Sequence, residues 1–132
     1  MTRVDRRRGL RLGRWGELIA LVLLTCKGYR LRHRNWQGAG SEIDLVMERR
    51  GKIVFVEVKT RSSDLYGGAE GAVDAAKRAA LLRASSAYLS TFELWKRPTR
   101  IDVVTIFRGE RYGWRVRHLR DAVWSTAGRQ TI

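Results

Sequence analysis

Two short runs of residues, 42–48 (Glu-Ile-Asp-Leu-Val-Met-Glu) and 52–60 (Lys-Ile-Val-Phe-Val-Glu-Val-Lys-Thr), flank the tripeptide Arg49-Arg50-Gly51. Both are rich in β-branched and apolar residues, and the segment between them ends in glycine, so they predict a β-hairpin turning about Arg50-Gly51. In that register Asp44 faces Glu57, Glu42 faces Lys59 and Val46 faces Phe55. Side chains alternate along a strand. One face therefore collects Ile43, Leu45, Met47, Val54, Val56 and Val58, and the other collects Glu42, Asp44, Val46, Ile53, Phe55, Glu57 and Lys59. The second face is apolar near the turn and charged at its far end, whereas a plainly solvated face would scatter its charges.

Directly opposed residues have Cβ atoms about 5 Å apart. Two carboxylates at that spacing repel each other unless a proton or a cation lies between them. Magnesium and similar hard cations bind one or two carboxylates and complete their shell with water and substrate phosphate. Asp44 and Glu57 are thus candidate metal ligands, and Mg2+ or Mn2+ the candidate cofactor. Lys59 projects to the same side, placed to orient a water or to stabilise developing negative charge. The bland alternative is a salt bridge between Glu42 and Lys59 beside a surface pair of acids. A Glu-x-Lys on a strand is common; the opposed aspartate is what sets this one apart. A single bulge would shift the pairing. Glu17 is a further candidate, because Leu21 and Leu24 share its helix face and a half-buried carboxylate needs a partner, either the metal site or a neighbouring arginine.

The rest of the chain supplies one domain around this hairpin. Residues 1–8 read as a flexible basic tail, residues 9–122 as the domain and residues 123–132 as a polar C-terminal tail. A first helix is expected from Leu10 to Lys27, with Leu12, Trp15, Ile19, Val22 and Cys26 on its packed face and a second half apolar nearly all round. Gly28 stops it. Tyr29 to Trp36 alternates basic with apolar or aromatic residues, as in an exposed strand, before a turn at Gln37-Gly38-Ala39-Gly40. After a loop carrying Gly67-Gly68, a second helix is expected from Val73 to Leu94, with Leu81, Ala84, Tyr88, Phe92 and Trp95 on one face and Pro98 beyond it. Arg100 to Phe107 and Trp114 to Leu119 complete the order αβββαββ.

The helical crossover makes the strand of Asp102 parallel to that of Glu57. Asp102 is then remote from Lys59 and is given a structural role. The amino terminus of the second helix falls near Glu57 and Lys59, where it favours phosphate. Glu70 and Asp74 are candidates for its cap and dipole partner. Arg30, Arg32, Arg34, Arg61, Lys77 and Arg78 are candidate nucleic-acid contacts. His33 and His118 stand isolated in the sequence and are read as surface or packing residues.

Charge sets the partner class. The chain has 132 residues, 27 Lys+Arg against 13 Asp+Glu, and a formal net charge of +14. Such a surplus attracts polyanions, nucleic acid above all, through counterion release. With Cys26 alone, no intrachain disulfide can form and a cysteine-based zinc site has no support, which suits a reducing cytoplasm. Arg6-Arg7-Arg8 ahead of the apolar run from Leu18 to Cys26 superficially resembles a leader. Glu17 abuts that run and the run is far shorter than a membrane span, so a buried helix is the preferred reading and no membrane association is expected.

Four blocks carry a family resemblance: Gly13-Arg14-Trp15-Gly16-Glu17, Arg34-Asn35-Trp36, Glu42-Ile43-Asp44-Leu45-Val46, and Val54-Phe55-Val56-Glu57-Val58-Lys59-Thr60-Arg61. Together they resemble the YraN family of bacterial proteins, which is similar to archaeal Holliday-junction resolvases and, more distantly, to restriction-endonuclease-like nucleases with the PD-(D/E)xK pattern. Ser41 stands where that family commonly has glycine. The resemblance implies an α/β fold with a restriction-endonuclease-like mixed sheet flanked by helices. It also implies metal binding by Asp44 and Glu57, catalysis by Lys59 and a supporting acid at Glu17. The activity so implied is metal-dependent cleavage of DNA, including branched DNA, for which a homodimer would supply two sites. The alternative is a nucleic-acid-binding module of the same fold without significant catalysis.

Overall fold

The computed structural model describes residues 3–61, 75–109 and 113–123. Its order is α1 (Arg3–Cys26), β1 (Arg30–Gly38), β2 (Ser41–Arg49), β3 (Lys52–Arg61), α2 (Ala75–Thr91), β4 (Thr99–Arg108) and β5 (Trp114–Leu119). The five strands form one sheet in sequence order. β1, β2 and β3 run antiparallel in turn; β3 and β4 are parallel, as the crossover through α2 requires; β5 returns antiparallel. This is the mixed sheet flanked by helices that the sequence predicts.

The hairpin has the predicted register, with Arg49↔Lys52, Val46↔Phe55 and Leu45↔Val56 as partners. Arg50 and Gly51 both adopt positive φ, 51° and 81°, the pair of left-handed residues that a two-residue type I′ turn needs. Ala39 and Gly40 do the same between β1 and β2, at 53° and 74°.

Two cores lie on opposite faces of the sheet. Under α1 are Ala20 and Leu24 with Tyr29, Leu45, Met47, Val54, Val56, Val104 and Ile106. Under α2 are Leu81, Ala84, Tyr88 and Leu89 with Ile43, Val46, Ile53, Phe55, Ile101, Val103 and Val123. Ile43 thus packs on the α2 face with Val46, not with Leu45 as strict alternation predicts. β1 is bulged between Leu31 and His33, and Asn35 sits at φ 50°. Alternation in β2 fails opposite this distorted stretch, between Ile43 and Leu45.

α1 begins at Arg3, taking in residues assigned above to a basic tail. It also presents a different face. Gly16, Ala20 and Leu24 are buried, while Trp15, Leu18 and Val22 are 61%, 41% and 55% exposed and Cys26 is exposed. The small residues explain the rotation. A Cβ at Gly16 would lie 2.2 Å from Thr60 Oγ1, so the helix rides directly on β3 at a position where any side chain would hold it away. Gly28, at φ 92°, ends α1, with Tyr29 N donating to Leu24 O. α2 stops at Thr91, earlier than Leu94, because Glu93 turns left-handed (φ 55°) and Leu94 N donates back to Leu89 O. Trp95 therefore lies beyond the helix and is 57% exposed. The Gly67-Gly68 loop, Glu70, Asp74 and residues 124–132 lie outside the described residues.

Candidate active site

The β2–β3 ladder ends at Leu45↔Val56. Beyond it Val58 N of β3 donates to Asp44 Oδ2 of β2 at 2.8 Å. Acidic side chains from three elements meet there. Glu17 of α1 and Glu42 and Asp44 of β2 each offer a carboxylate oxygen, and these oxygens lie within 4.8 Å of one another. With its NH2 turned toward the acids, the Asn35 amide donates to Glu17 Oε1 at 3.1 Å and to Glu42 Oε1 at 2.9 Å. Asp44 also lies within hydrogen-bonding reach of the Glu57 carboxyl.

Glu57 is buried at 3% exposure. Its Oε1 is 3.4 Å from Lys59 Nζ and 3.3 Å from Lys77 Nζ, and its Oε2 has no hydrogen-bond partner. Lys77 stands in the first turn of α2, so the amino terminus of that helix does lie at the acids.

Burial and neighbouring carboxylates raise the proton affinity of two of these acids. Burial, then the charge of Glu57, pushes Asp44 up to about 7, against the lowering effect of the Val58 amide. Glu17 is also raised, chiefly by burial, although Asn35 and Arg34 pull the other way. Oxygen ligands from several carboxylates, one with its pKa raised by burial and by a neighbouring acid and another with an oxygen that has no hydrogen-bond partner, fit a hard divalent cation.

Asp44, Glu57, Lys59 and Glu17 all come together, as does Lys77. Arg34 is close enough to act on Glu17, and Arg61 ends β3, exposed. Arg30 and Arg32 do not join them. Both bond to Glu48, at 2.6 and 3.4 Å, and Arg97 meets the same carboxylate. Arg78 lies half-buried on α2.

Sequence reasoning left Glu42 to a salt bridge with Lys59 and gave Asn35 no role. The available signal for Glu42 was its position two residues before Asp44 on one strand. A further cation emerges from sheet order: Lys59 is in register with Thr105, and Thr105 with Arg117, which is exposed on β5. His118, read as isolated, is bonded to Asp102 at 2.7 Å, and His33 to Tyr88 Oη at 2.7 Å. A residue's spatial partners on remote strands are invisible in sequence spacing.

Fold and site define an α/β protein with a carboxylate cluster where its central hairpin strands part. The chain belongs to the uncharacterised protein family UPF0102, whose profile matches residues 16–106; this is the YraN-like family that its motifs resemble. It is similar to a UPF0102 protein of Bacteroides thetaiotaomicron, 39% identical over 113 residues, covering 86% of this chain and 92% of that one. A UPF0102 protein of Roseiflexus castenholzii is 43% identical over 105 residues, covering 79% and 85%. Among the described residues no helix is long and apolar enough to cross a membrane.

Proposed function

We propose that this protein is a divalent-metal-dependent nuclease that hydrolyses phosphodiester bonds in DNA. The observation that carries the reading is the convergence of Glu17, Glu42 and Asp44, with Glu57 against Asp44 and Lys59 against Glu57. Lys59 and Lys77 meet Glu57, whereas Glu17, Glu42 and Asp44 gather their carboxylates against one another, an arrangement that a divalent cation would relieve.

Glu17, Glu42 and Asp44, with Glu57 beside them, would hold Mg2+ or Mn2+. When bound, such a metal polarises a phosphate and lowers the pKa of a coordinated water. Asn35 orients Glu17 and Glu42. Lys59, its Nζ held near Glu57, orients the attacking water or stabilises charge on the phosphate. Arg34, Arg61, Arg78 and Arg117 attract the phosphate backbone, assisted by the net charge of +14.

The test is incubation of the purified protein with linear, single-stranded and branched DNA in Mg2+ or Mn2+. Cleavage is expected to require metal and to fall at least a hundredfold in Asp44→Asn, a loss on the scale of about 3 kcal/mol. Binding without metal-dependent cleavage of any substrate would leave a nucleic-acid-binding module in place of an enzyme.

A further inference from the structure

Beside the carboxylates lies a cleft of about 640 Å³ lined by Arg14, Trp15, Glu17, Leu18, Arg34 and Asn35. Its volume is within the roughly 300–1,000 Å³ of clefts that hold small organic groups. Two of its walls, Glu17 and Asn35, belong to the acid cluster, so whatever fills the cleft adjoins the candidate reaction centre. Trp15 is the conspicuous member, with 61% of its surface exposed. It precedes Gly16, where α1 approaches β3 so closely that a Cβ would lie 2.2 Å from Thr60 Oγ1. Arg14 and Arg34 are both exposed.

An exposed indole flanked by two guanidinium groups is the chemistry of a single-strand platform: the ring stacks on a base and the arginines take the flanking phosphates. A base inside a duplex has both faces occupied by its neighbours and cannot offer one to Trp15. The geometry points to Trp15 as a stacking platform for an unpaired nucleobase next to the phosphate held at the carboxylates. The cleft thereby selects strands that contain unpaired nucleotides over continuous duplex. This rests on the nuclease reading for the location of that phosphate, and it names the class of substrate. Leu18 adds an apolar side chain to the lining, and Arg34, which also acts on Glu17, ties the base subsite to the acid site.

Binding can be measured with calcium in place of magnesium, using single-stranded DNA and RNA oligonucleotides and a duplex, each carrying one 2-aminopurine. Wild-type protein is expected to quench the probe in single strands and to bind them more tightly than duplex. Trp15→Ala should lose the quench and weaken single-strand binding about tenfold, with less than a twofold effect on duplex. Trp15→Phe should retain most of both. The salt dependence should be the same in all three, because no phosphate contact is removed. Equal losses on single strands and duplex in Trp15→Ala, or no loss on either, would overturn the assignment, as would a failure of Trp15→Phe to rescue. Comparison of the DNA and RNA arms states which sugar the platform accepts. Cleavage is scored separately through Asp44→Asn. A chain that shows the Trp15-dependent preference yet never cuts keeps this subsite and loses only the catalytic reading; a chain that binds no nucleic acid loses both.

Discussion

Two aspartates sit in the same sheet and have opposite surroundings. Asp102, on β4, is fully buried and completely partnered. Arg100 Nε donates to its Oδ1 at 2.7 Å and Arg100 Nη2 to its Oδ2 at 2.9 Å, His118 bonds Oδ2 at 2.7 Å, and the Asp121 amide donates to Oδ1 at 2.9 Å. Arg100 continues to Tyr29 Oη, and Lys27 reaches the other nitrogen of His118. Burial pushes the Asp102 carboxyl up, but these bonds and the Arg100 charge more than offset it, and its pKa is lowered. Asp44, on β2, has one backbone donor and three acids for neighbours, and its pKa is raised to about 7. Satisfied charge holds a fold together, whereas unsatisfied charge of one sign is held by the rest of the fold until a ligand relieves it.

The largest effect is expected at the satisfied site. Asp102→Ala leaves Arg100 and His118 without their acceptor in a buried place, which should cost about 3–5 kcal/mol of stability. Denaturant unfolding monitored by tryptophan fluorescence measures it. Because the folded pKa of Asp102 is depressed, its contribution is complete above the unfolded value near 3.8 and lost as pH falls through the folded pKa. A loss smaller than that of an exposed control such as Glu93→Ala would break the contrast between the two sites.

The unsatisfied site should respond in the other direction. A carboxyl whose pKa is raised binds its proton more tightly in the folded state, so the metal-free protein loses stability as pH rises from about 4 to about 7. Asp44→Asn removes that penalty and should stabilise the metal-free protein at pH 8 by on the order of 2–4 kcal/mol, with little change at pH 4. Mg2+ should raise the melting temperature of the wild-type protein at pH 8 and leave that of Asp44→Asn nearly unchanged. A wild-type melting temperature insensitive to both pH and Mg2+ across this range would remove the electrostatic case for a cation.

A smaller effect tests how the acids are brought together. Gly16→Ala places a methyl against Thr60 Oγ1 and should shift α1 outward, at a cost of about 1–3 kcal/mol. Glu17 moves with the helix, so metal-dependent cleavage should fall further than the stability change alone explains. Adding Thr60→Ala should restore part of both by vacating the contact. No recovery in the double variant would mean that Gly16 matters for another reason.

The candidate site was legible wherever its geometry is local. The register that pairs the segments of Asp44 and Glu57 follows from alternation and from Arg50-Gly51 at the turn, and Lys59 follows two residues on. Glu42 was legible as a neighbour but not as a ligand. Alternation put it on the face of Asp44, but its meeting with Glu17 and Asn35 depends on the docking of α1 and on the left-handed Asn35 of β1, which leave no periodic signal. Lys77 was placed near the site because α2 must begin where β3 ends, but its contact with Glu57 is a matter of docking.

By itself the sequence determined the order of the elements, the hairpin and its register, the parallel crossover and the charge that draws a polyanion. These depend on turn chemistry and side-chain periodicity, which act within a few residues. Tertiary structure decided which face of α1 is turned inward. A helix apolar nearly all round has several faces of equal hydrophobicity, and only close packing of Gly16 against Thr60 chooses among them. That choice carries Glu17 to the acids and leaves Trp15 in the open. It also decided the fates of the two aspartates, because the partners that satisfy Asp102 and the acids that crowd Asp44 come from other strands and from α1.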